Sequence, residues 1–67
     1  MGLSARNQLK GTVKTVTVGT VMAEVVMDCG GAEVVSAITR RAAEALGLKE
    51  GDQVTAVIKA TEVLVMK

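Results

Sequence analysis

Apolar and polar residues alternate along much of the chain, which is the pattern of β-strands that bury one face. The alternation is clearest after the turn at Gly19-Thr20, where apolar residues two apart share a face, namely Val21, Ala23, Val25 and Met27. The opposite face of that segment is half apolar, which indicates that another surface partly covers it. In all, the pattern predicts strands over residues 7–18, 21–28, 33–39, 53–60 and 61–66.

One helix is predicted between the third and fourth strands. Residues 40–46 are mostly good helix formers, Thr39 suits the N-cap, and Gly47 suits the left-handed position at the C-terminus. Gly30-Gly31 predicts a hairpin turn between the second and third strands. Five short strands with one small helix after the third are typical of an OB-like β-barrel, so the expected fold class is all-β.

The composition indicates that the domain needs partners. Residues 1–67 are expected to form one domain, and a chain this short buries only about 60% of the surface that its unfolded form exposes. It has one cysteine, no histidine and no aromatic residue, which excludes an intrachain disulfide and argues against a zinc site. Because 49% of the residues are nevertheless hydrophobic, we expect an obligate oligomer that buries apolar surface between subunits.

Charge and hydropathy narrow the choice of partners and location. A net charge of +1 gives no argument for nucleic acid or for an acidic membrane. No stretch approaches the roughly 20 apolar residues of a membrane span, and the first ten residues lack the apolar core of a signal peptide. With one unpaired cysteine, the cytoplasm is the expected location. No arrangement of catalytic residues is visible, so we expect no enzyme activity and no catalytic cofactor.

Two segments carry hydrogen-bond donors that suit a tetrahedral oxyanion. Residues 4–8 (Ser-Ala-Arg-Asn-Gln) place a hydroxyl, a guanidinium and two amides just before the first strand, and Lys59 lies near the end of an apolar strand. Thr39 and the first turn of the helix add a hydroxyl and backbone amides. These residues also have structural explanations, as a frayed terminus, an edge-strand lysine and a helix cap. On spacing alone, the structural explanations are the simpler ones.

At these residues the sequence resembles the molbindin family, small molybdenum–pterin-binding-like proteins whose domain is also called Mop or TOBE. The resemblance covers nearly the whole chain and rests on Ser-Ala-Arg-Asn-Gln-Leu-Lys-Gly at 4–11, Ala-Ile-Thr at 37–39, Leu-Gly-Leu at 46–48 with Glu-Gly at 50–51, and Val-Ile-Lys-Ala-Thr at 57–61. It implies an OB-like barrel that assembles as a hexamer, a trimer of dimers. It also implies binding of molybdate or tungstate between subunits, for storage, buffering or delivery inside the cell.

The resemblance also implies particular binding residues. Ser4 and Arg6 of one subunit would face Thr39, Lys59 and Ala60 of its neighbour. Arg6 and Lys59 would supply positive charge, the two hydroxyl side chains would donate hydrogen bonds, and Ala60 would offer its backbone N–H. The anion is therefore held by hydrogen bonds, and no direct ligation of the metal atom by a side chain is expected.

A second anion site is implied near a symmetry axis of the oligomer. Thr20, Val21 and Met22, around the start of the second strand, would offer backbone amides there. One position departs from the family, because relatives often carry a serine where this chain has Ala42. The chain therefore lacks one hydroxyl that the family uses.

A DNA-binding regulator is the alternative function. Residues 39–54 also look like the swapped-hairpin regulators of the antitoxin and transition-state type, which share the turn Ala-Leu-Gly-Leu-Lys-Glu-Gly-Asp with basic residues before it. That overlap is short, leaves residues 4–8 unexplained, and goes with a low net charge for a DNA-binding protein. Binding of single-stranded nucleic acid ranks last, because the chain has no aromatic residue on which bases would stack.

Overall fold

Four strands and one helix form the fold in a computed structural model, which describes residues 5–67. The strands are β1 (Asn7–Val18), β2 (Met22–Cys29), β3 (Ala32–Thr39) and β4 (Gln53–Ile58), and helix α1 (Arg40–Leu46) lies between β3 and β4. The strands make one antiparallel sheet in the order β3-β2-β1-β4. The all-β class and the place of the helix are confirmed. No helix in residues 5–67 has the length and apolar character to cross a membrane.

Strand β1 is long because it pairs with two neighbours. Its first half, up to Thr12, pairs with β4, and its second half, from Thr12 onward, pairs with β2. The register of the second pairing shifts between Val13 and Thr15, which marks a β-bulge. A bulge increases the local bend and twist of a strand. The sheet therefore curves where β1 passes from one neighbour to the other.

The core lies on one face of this curved sheet. Its buried residues are Val13, Val25, Met27, Cys29 and Ala56. The predicted inward face of β2 is confirmed for Ala23, Val25 and Met27, whereas Val21 is 70% exposed. Val21 lies in the turn before β2, where the backbone N–H of Gly19 donates to the carbonyl of Met22 (2.8 Å). The second strand therefore begins one residue later than predicted.

The helix and the hairpin turn agree with the sequence prediction. The Thr39 Oγ1 accepts a hydrogen bond from the Ala42 backbone N–H (3.0 Å), which makes Thr39 the N-cap. Gly47 ends the helix in the left-handed conformation, with φ of 62°. Gly30 and Gly31 join β2 to β3 with positive φ angles of 64° and 91°, which other residues rarely adopt.

The predicted fifth strand is wrong, and β4 ends at Ile58 instead of residue 60. A 3-10 turn over Ala60–Glu62 follows β4 instead, and residues 63–67 are not part of any strand. The apolar residues at 61–66 favour a strand by their pattern, but a strand also needs a partner for its backbone groups. Within the described residues β3 and β4 are not paired with each other, so one chain leaves the sheet open.

Candidate functional site

Arg6 and Lys59 lie at the same end of the sheet. Asn7 and Ile58 are the last paired residues of β1 and β4, so Arg6 immediately precedes one strand and Lys59 immediately follows the other. The Asn7 side-chain amide donates to the Ile58 carbonyl (3.2 Å) and ties the two segments together. Ala5 is buried at 8% exposure and anchors the chain just before Arg6. We call Arg6, Lys59 and Ala60 the basic end.

Ala60 is held in the basic end by a short turn. The Glu62 N–H donates to the Lys59 carbonyl (2.9 Å), and the Val63 N–H donates to the Ala60 carbonyl (3.3 Å). The turn leaves both Lys59 and Ala60 exposed to solvent, as Arg6 is. Ser4, the remaining predicted donor of this segment, lies outside the described residues.

A second group of predicted residues surrounds a hollow of about 540 Å³ beside the start of α1. We call this cavity the helix hollow. It is lined by Thr20, Val21, Thr39, Arg40, Arg41 and Glu44. The Arg40 backbone N–H donates to the Val21 carbonyl (2.7 Å), which joins the turn before β2 to the helix. Met22 pairs with Thr39 across β2 and β3 but does not line the hollow. The structure thus places Thr39, predicted for the first site, beside Thr20 and Val21, predicted for the second.

Fewer free donors remain in the helix hollow than the sequence suggested. The Arg40 amide is bonded to Val21 and the Ala42 amide to Thr39, so neither is free for an anion. Because the Thr39 oxygen accepts its hydrogen bond, the hydroxyl proton remains available to donate. The expectation of several free amides in the first turn is therefore corrected.

Two arginines in the helix hollow were not predicted as site residues. The Arg40 Nε lies 3.1 Å from the Glu44 Oε2 and forms an ion pair one turn along the helix. Arg41 forms no ion pair within residues 5–67, so its guanidinium is free to meet an anion. The sequence signal was the pair of adjacent cations directly after the N-cap residue.

The two donor groups lie at opposite ends of β1. The basic end flanks the first residue of β1, whereas the helix hollow lies beside the turn that follows its last residue. Neither Arg6 nor Lys59 lines the hollow. No hydrogen bond among residues 5–67 joins Thr39 to Arg6 or Lys59. One chain therefore presents the predicted donors as two separate groups.

Away from the two donor groups, the described residues of the sheet carry a surface ion pair but no cluster of side chains that could bind a metal ion. The Lys14 Nζ donates to the Glu33 Oε2 (2.9 Å). That hydrogen bond, together with the negative charge of Glu33, raises the pKa of Lys14 above its usual value. Within the described part of the chain, no group of three or more Cys, Asp or Glu side chains is placed to hold a metal ion.

Comparison with known proteins finds similarity over almost the full length of the chain. The model of the TOBE domain family matches residues 3–65. Molybdenum-pterin-binding protein 3 of Clostridium pasteurianum is 52% identical over 67 residues, which covers 98% of each chain. A relative with that identity and coverage has the same domain from end to end.

Solved structures of molybdate-binding proteins match the fold. One from Sporomusa ovata has 52% sequence identity and a TM-score of 0.96, with all of both chains covered. The cytoplasmic molybdate-binding protein ModG, solved with molybdate bound, has 51% identity and a TM-score of 0.90. That match covers 96% of this chain and 46% of ModG.

The alternative of a swapped-hairpin DNA-binding regulator is not supported. Residues 39–54, on which it rested, form the cap of α1, the helix itself and the turn that leads into β4 of the same sheet. The similarity to molybdate-binding proteins extends over both ends of the chain as well, including the segment that the regulator hypothesis left unexplained.

Proposed function

This chain belongs to the TOBE domain family, as its sequence predicted, and from that premise we propose that it binds molybdate or tungstate as a carrier or store. The observation that carries the proposal is the end-to-end similarity to proteins named for binding molybdate or molybdenum-pterin. The donor chemistry supports it, because Arg6 and Lys59 offer charge-assisted hydrogen bonds at one end of the sheet. The role is binding and not catalysis.

The first anion site in this proposal is shared between copies of the chain. Ser4, Arg6, Thr39, Lys59 and Ala60 contribute two positive charges, two hydroxyls and one backbone N–H. Because the basic end and Thr39 lie at opposite ends of β1, no single chain supplies all these donors in one place. A second copy that brings Thr39 to the basic end of the first completes the set.

A position between subunits favours tight binding for a physical reason. A dianion on an exposed surface competes with water, and salt screens its attraction to Arg and Lys. Enclosure between chains strengthens the same interactions, provided that enough donors already point at the anion to offset the loss of its hydration. Strand ends and a capped helix are rigid enough to hold donors in place. We therefore propose a homo-oligomer. The resemblance to the molbindin family favours a hexamer built as a trimer of dimers, and the similarity to the cytoplasmic protein ModG supports a cytoplasmic location.

The helix hollow is the proposed second anion site. Thr20 and Val21 line it, as does Arg41, and Met22 lies next to it through its pairing with Thr39. The free guanidinium of Arg41 adds a charge that the backbone amides alone do not provide. Occupancy of this site depends on a further copy of the chain, because the hollow is open to solvent in a single chain.

Isothermal titration calorimetry with molybdate, with tungstate and with sulfate tests the function. The parent protein should bind the first two and discriminate against sulfate. Arg6→Ala and Lys59→Ala should each weaken molybdate binding about 10- to 100-fold, since a hydrogen bond to a charged group contributes roughly 1.5–3 kcal/mol. Lys49→Ala is the matched control, because Lys49 is an exposed lysine in the turn after α1, away from the basic end.

The proposed function and the proposed binding residues can be contradicted independently of each other. A parent protein that binds neither molybdate nor tungstate contradicts the function itself. A parent that binds molybdate while Arg6→Ala and Lys59→Ala, both folded by circular dichroism, bind it equally well contradicts the residue assignment and leaves the function standing. If Lys49→Ala weakens molybdate binding as much as Arg6→Ala and Lys59→Ala do, the loss of affinity reflects the net charge of the protein and not a specific contact.

A further inference from the structure

The helix hollow contains a negative charge at a place that is proposed to bind an anion. The charged side chains that line it are Arg40, Arg41 and Glu44. An ionised carboxylate repels an oxyanion and offers it no hydrogen bond, because it can only accept hydrogen bonds. Capping does not explain Glu44, since Thr39 and Gly47 already cap the two ends of α1. The carboxylate therefore bears on how the hollow binds an anion.

Glu44 holds the guanidinium of Arg40. The Arg40 Nε donates to the Glu44 Oε2 over 3.1 Å, one turn along α1. The two side chains are 48% and 59% exposed, so water and salt weaken the pair and either partner can leave it. The Arg40 backbone is fixed, by contrast, because its N–H donates to the Val21 carbonyl (2.7 Å) on the wall of the hollow. A released Arg40 side chain therefore stays anchored beside the hollow.

The charge of the hollow comes from its side chains and not from the end of the helix. The backbone N–H groups of Arg40 and Ala42 are already bonded within the chain. Arg41 has no ion pair within residues 5–67, whereas the charge of Arg40 is neutralised by Glu44. Two positive side chains and one negative one leave the lining with a net charge of +1, which would be +2 without the carboxylate.

We propose that Glu44 is a built-in competitor of the anion, and that it sets how strongly the helix hollow binds a tetrahedral dianion such as molybdate. Arg41 meets the anion first, and Arg40 joins it only when the anion displaces the Glu44 carboxylate. The like charge of Glu44 keeps the affinity below the value that the two arginines would give together. Lower affinity suits a carrier or store, because the anion must also be released. The inference rests on the proposed function and adds to it a residue that limits binding.

Titration calorimetry of Glu44→Gln with molybdate tests the competition. Glutamine has nearly the shape of glutamate and a similar helix propensity, so the substitution removes the negative charge and keeps the helix. The variant should bind molybdate about 3- to 10-fold more tightly than the parent, because one exposed charge is removed near a dianion and Arg40 is released. Glu50→Gln is the matched control, because Glu50 is an exposed carboxylate in the turn after α1 and does not line the hollow.

The gain in affinity should depend on Arg40 and on salt. The double variant Arg40→Gln/Glu44→Gln has no guanidinium to release at this position, and its hollow has the same net charge as in the parent. Its affinity for molybdate should therefore return to within about 2-fold of the parental value. Raising NaCl from about 50 to 500 mM should reduce the advantage of Glu44→Gln over the parent, since salt screens charges that are this exposed. A purely structural effect of the substitution would not respond to salt in this way.

Unchanged or weaker molybdate binding by Glu44→Gln contradicts the competition. An equal gain in Glu50→Gln also overturns it, because the effect would then come from the net charge of the protein. A gain that persists in the double variant shows that Arg40 is not the group for which Glu44 competes, and a gain that salt does not reduce indicates repacking instead of charge. If the proposed function itself is wrong, the parent and all the variants bind no molybdate, which is a different result from each of these and overturns the inference with it.

Discussion

At the scale of single residues, Gly11 decides how closely β1 and β2 approach. An added Cβ would lie 2.6 Å from the Cys29 Sγ and 2.7 Å from the Asp28 carbonyl oxygen, both closer than real Cβ atoms come. The sulfur is a side-chain atom that substitution can remove, whereas the carbonyl belongs to the backbone of β2. The position requires glycine for space, at the point where β1 changes neighbours.

Gly11→Ala should therefore lower the free energy of unfolding by about 2 kcal/mol, the usual size of an overpacking effect. Adding Cys29→Ala should restore only part of the loss, because the contact with the Asp28 carbonyl remains. Urea unfolding of the parent, the two single variants and the double variant measures this. Full recovery in the double variant would show that the sulfur alone excludes a side chain at position 11.

At the scale of elements, the helix was predictable because its signals are local. Thr39 and Gly47 fix its ends through hydrogen bonds and dihedral angles that neighbouring residues determine. The hairpin at Gly30-Gly31 is local in the same way. The apolar residues at 61–66 predict a strand, but whether such a segment pairs depends on a strand edge that lies far away in the sequence. The sequence pattern shows which secondary structure a segment favours. The strand with which it pairs is determined by the tertiary fold.

Thr39 has two roles to separate, because it caps helix α1 and is also a proposed donor to the anion. Thr39→Ala removes the N-cap and should cost about 1 kcal/mol of unfolding free energy. It also removes a proposed hydroxyl donor, so molybdate affinity should fall as well. Thr39→Ser keeps both the oxygen that caps Ala42 and the proton that would reach the anion. Urea unfolding and molybdate titration of both variants should therefore show loss in the first and near-parental values in the second.

Retention of full affinity in Thr39→Ala, alongside the expected loss of stability, would leave Thr39 as a helix cap only. The two measurements thus separate the structural explanation from the binding one. Equal loss of affinity in Thr39→Ser would indicate that the methyl group and its packing matter more than the hydroxyl.

At the scale of the whole molecule, the arrangement of the candidate site is the feature that is hardest to predict from the sequence alone. The motif at residues 4–8 and the lysine at 59 were recognised as donors, and the sheet brings Arg6 and Lys59 together. Pattern did not reveal that Thr39 lies at the far end of β1, or that Arg41 borders the same hollow. Those relations arise from the strand order and from the bend of β1, which depend on contacts between residues far apart in sequence.

If molybdate binds between copies, it must stabilise the assembled molecule. A ligand that binds only the folded state adds RT ln(1 + [L]/Kd), or about 2.7 kcal/mol at a concentration 100 times Kd. The melting temperature should therefore rise with the logarithm of molybdate concentration in the parent, and Arg6→Ala should need about 10- to 100-fold more molybdate for the same rise. Sulfate is the control anion, and it should raise the melting temperature far less at equal ionic strength.

The same stabilisation should vary little between pH 5.5 and 8. The chain has no histidine, the side chain whose ordinary charge change falls in that interval. The positive charge of the proposed site comes from arginine and lysine, so the attraction for a dianion persists across the interval. Melting curves at fixed molybdate over this pH series measure it. A steep loss of stabilisation between those limits would mean that a titrating group outside the proposed donor set controls binding, and the assignment of Arg6 and Lys59 as the main source of charge would have to be abandoned.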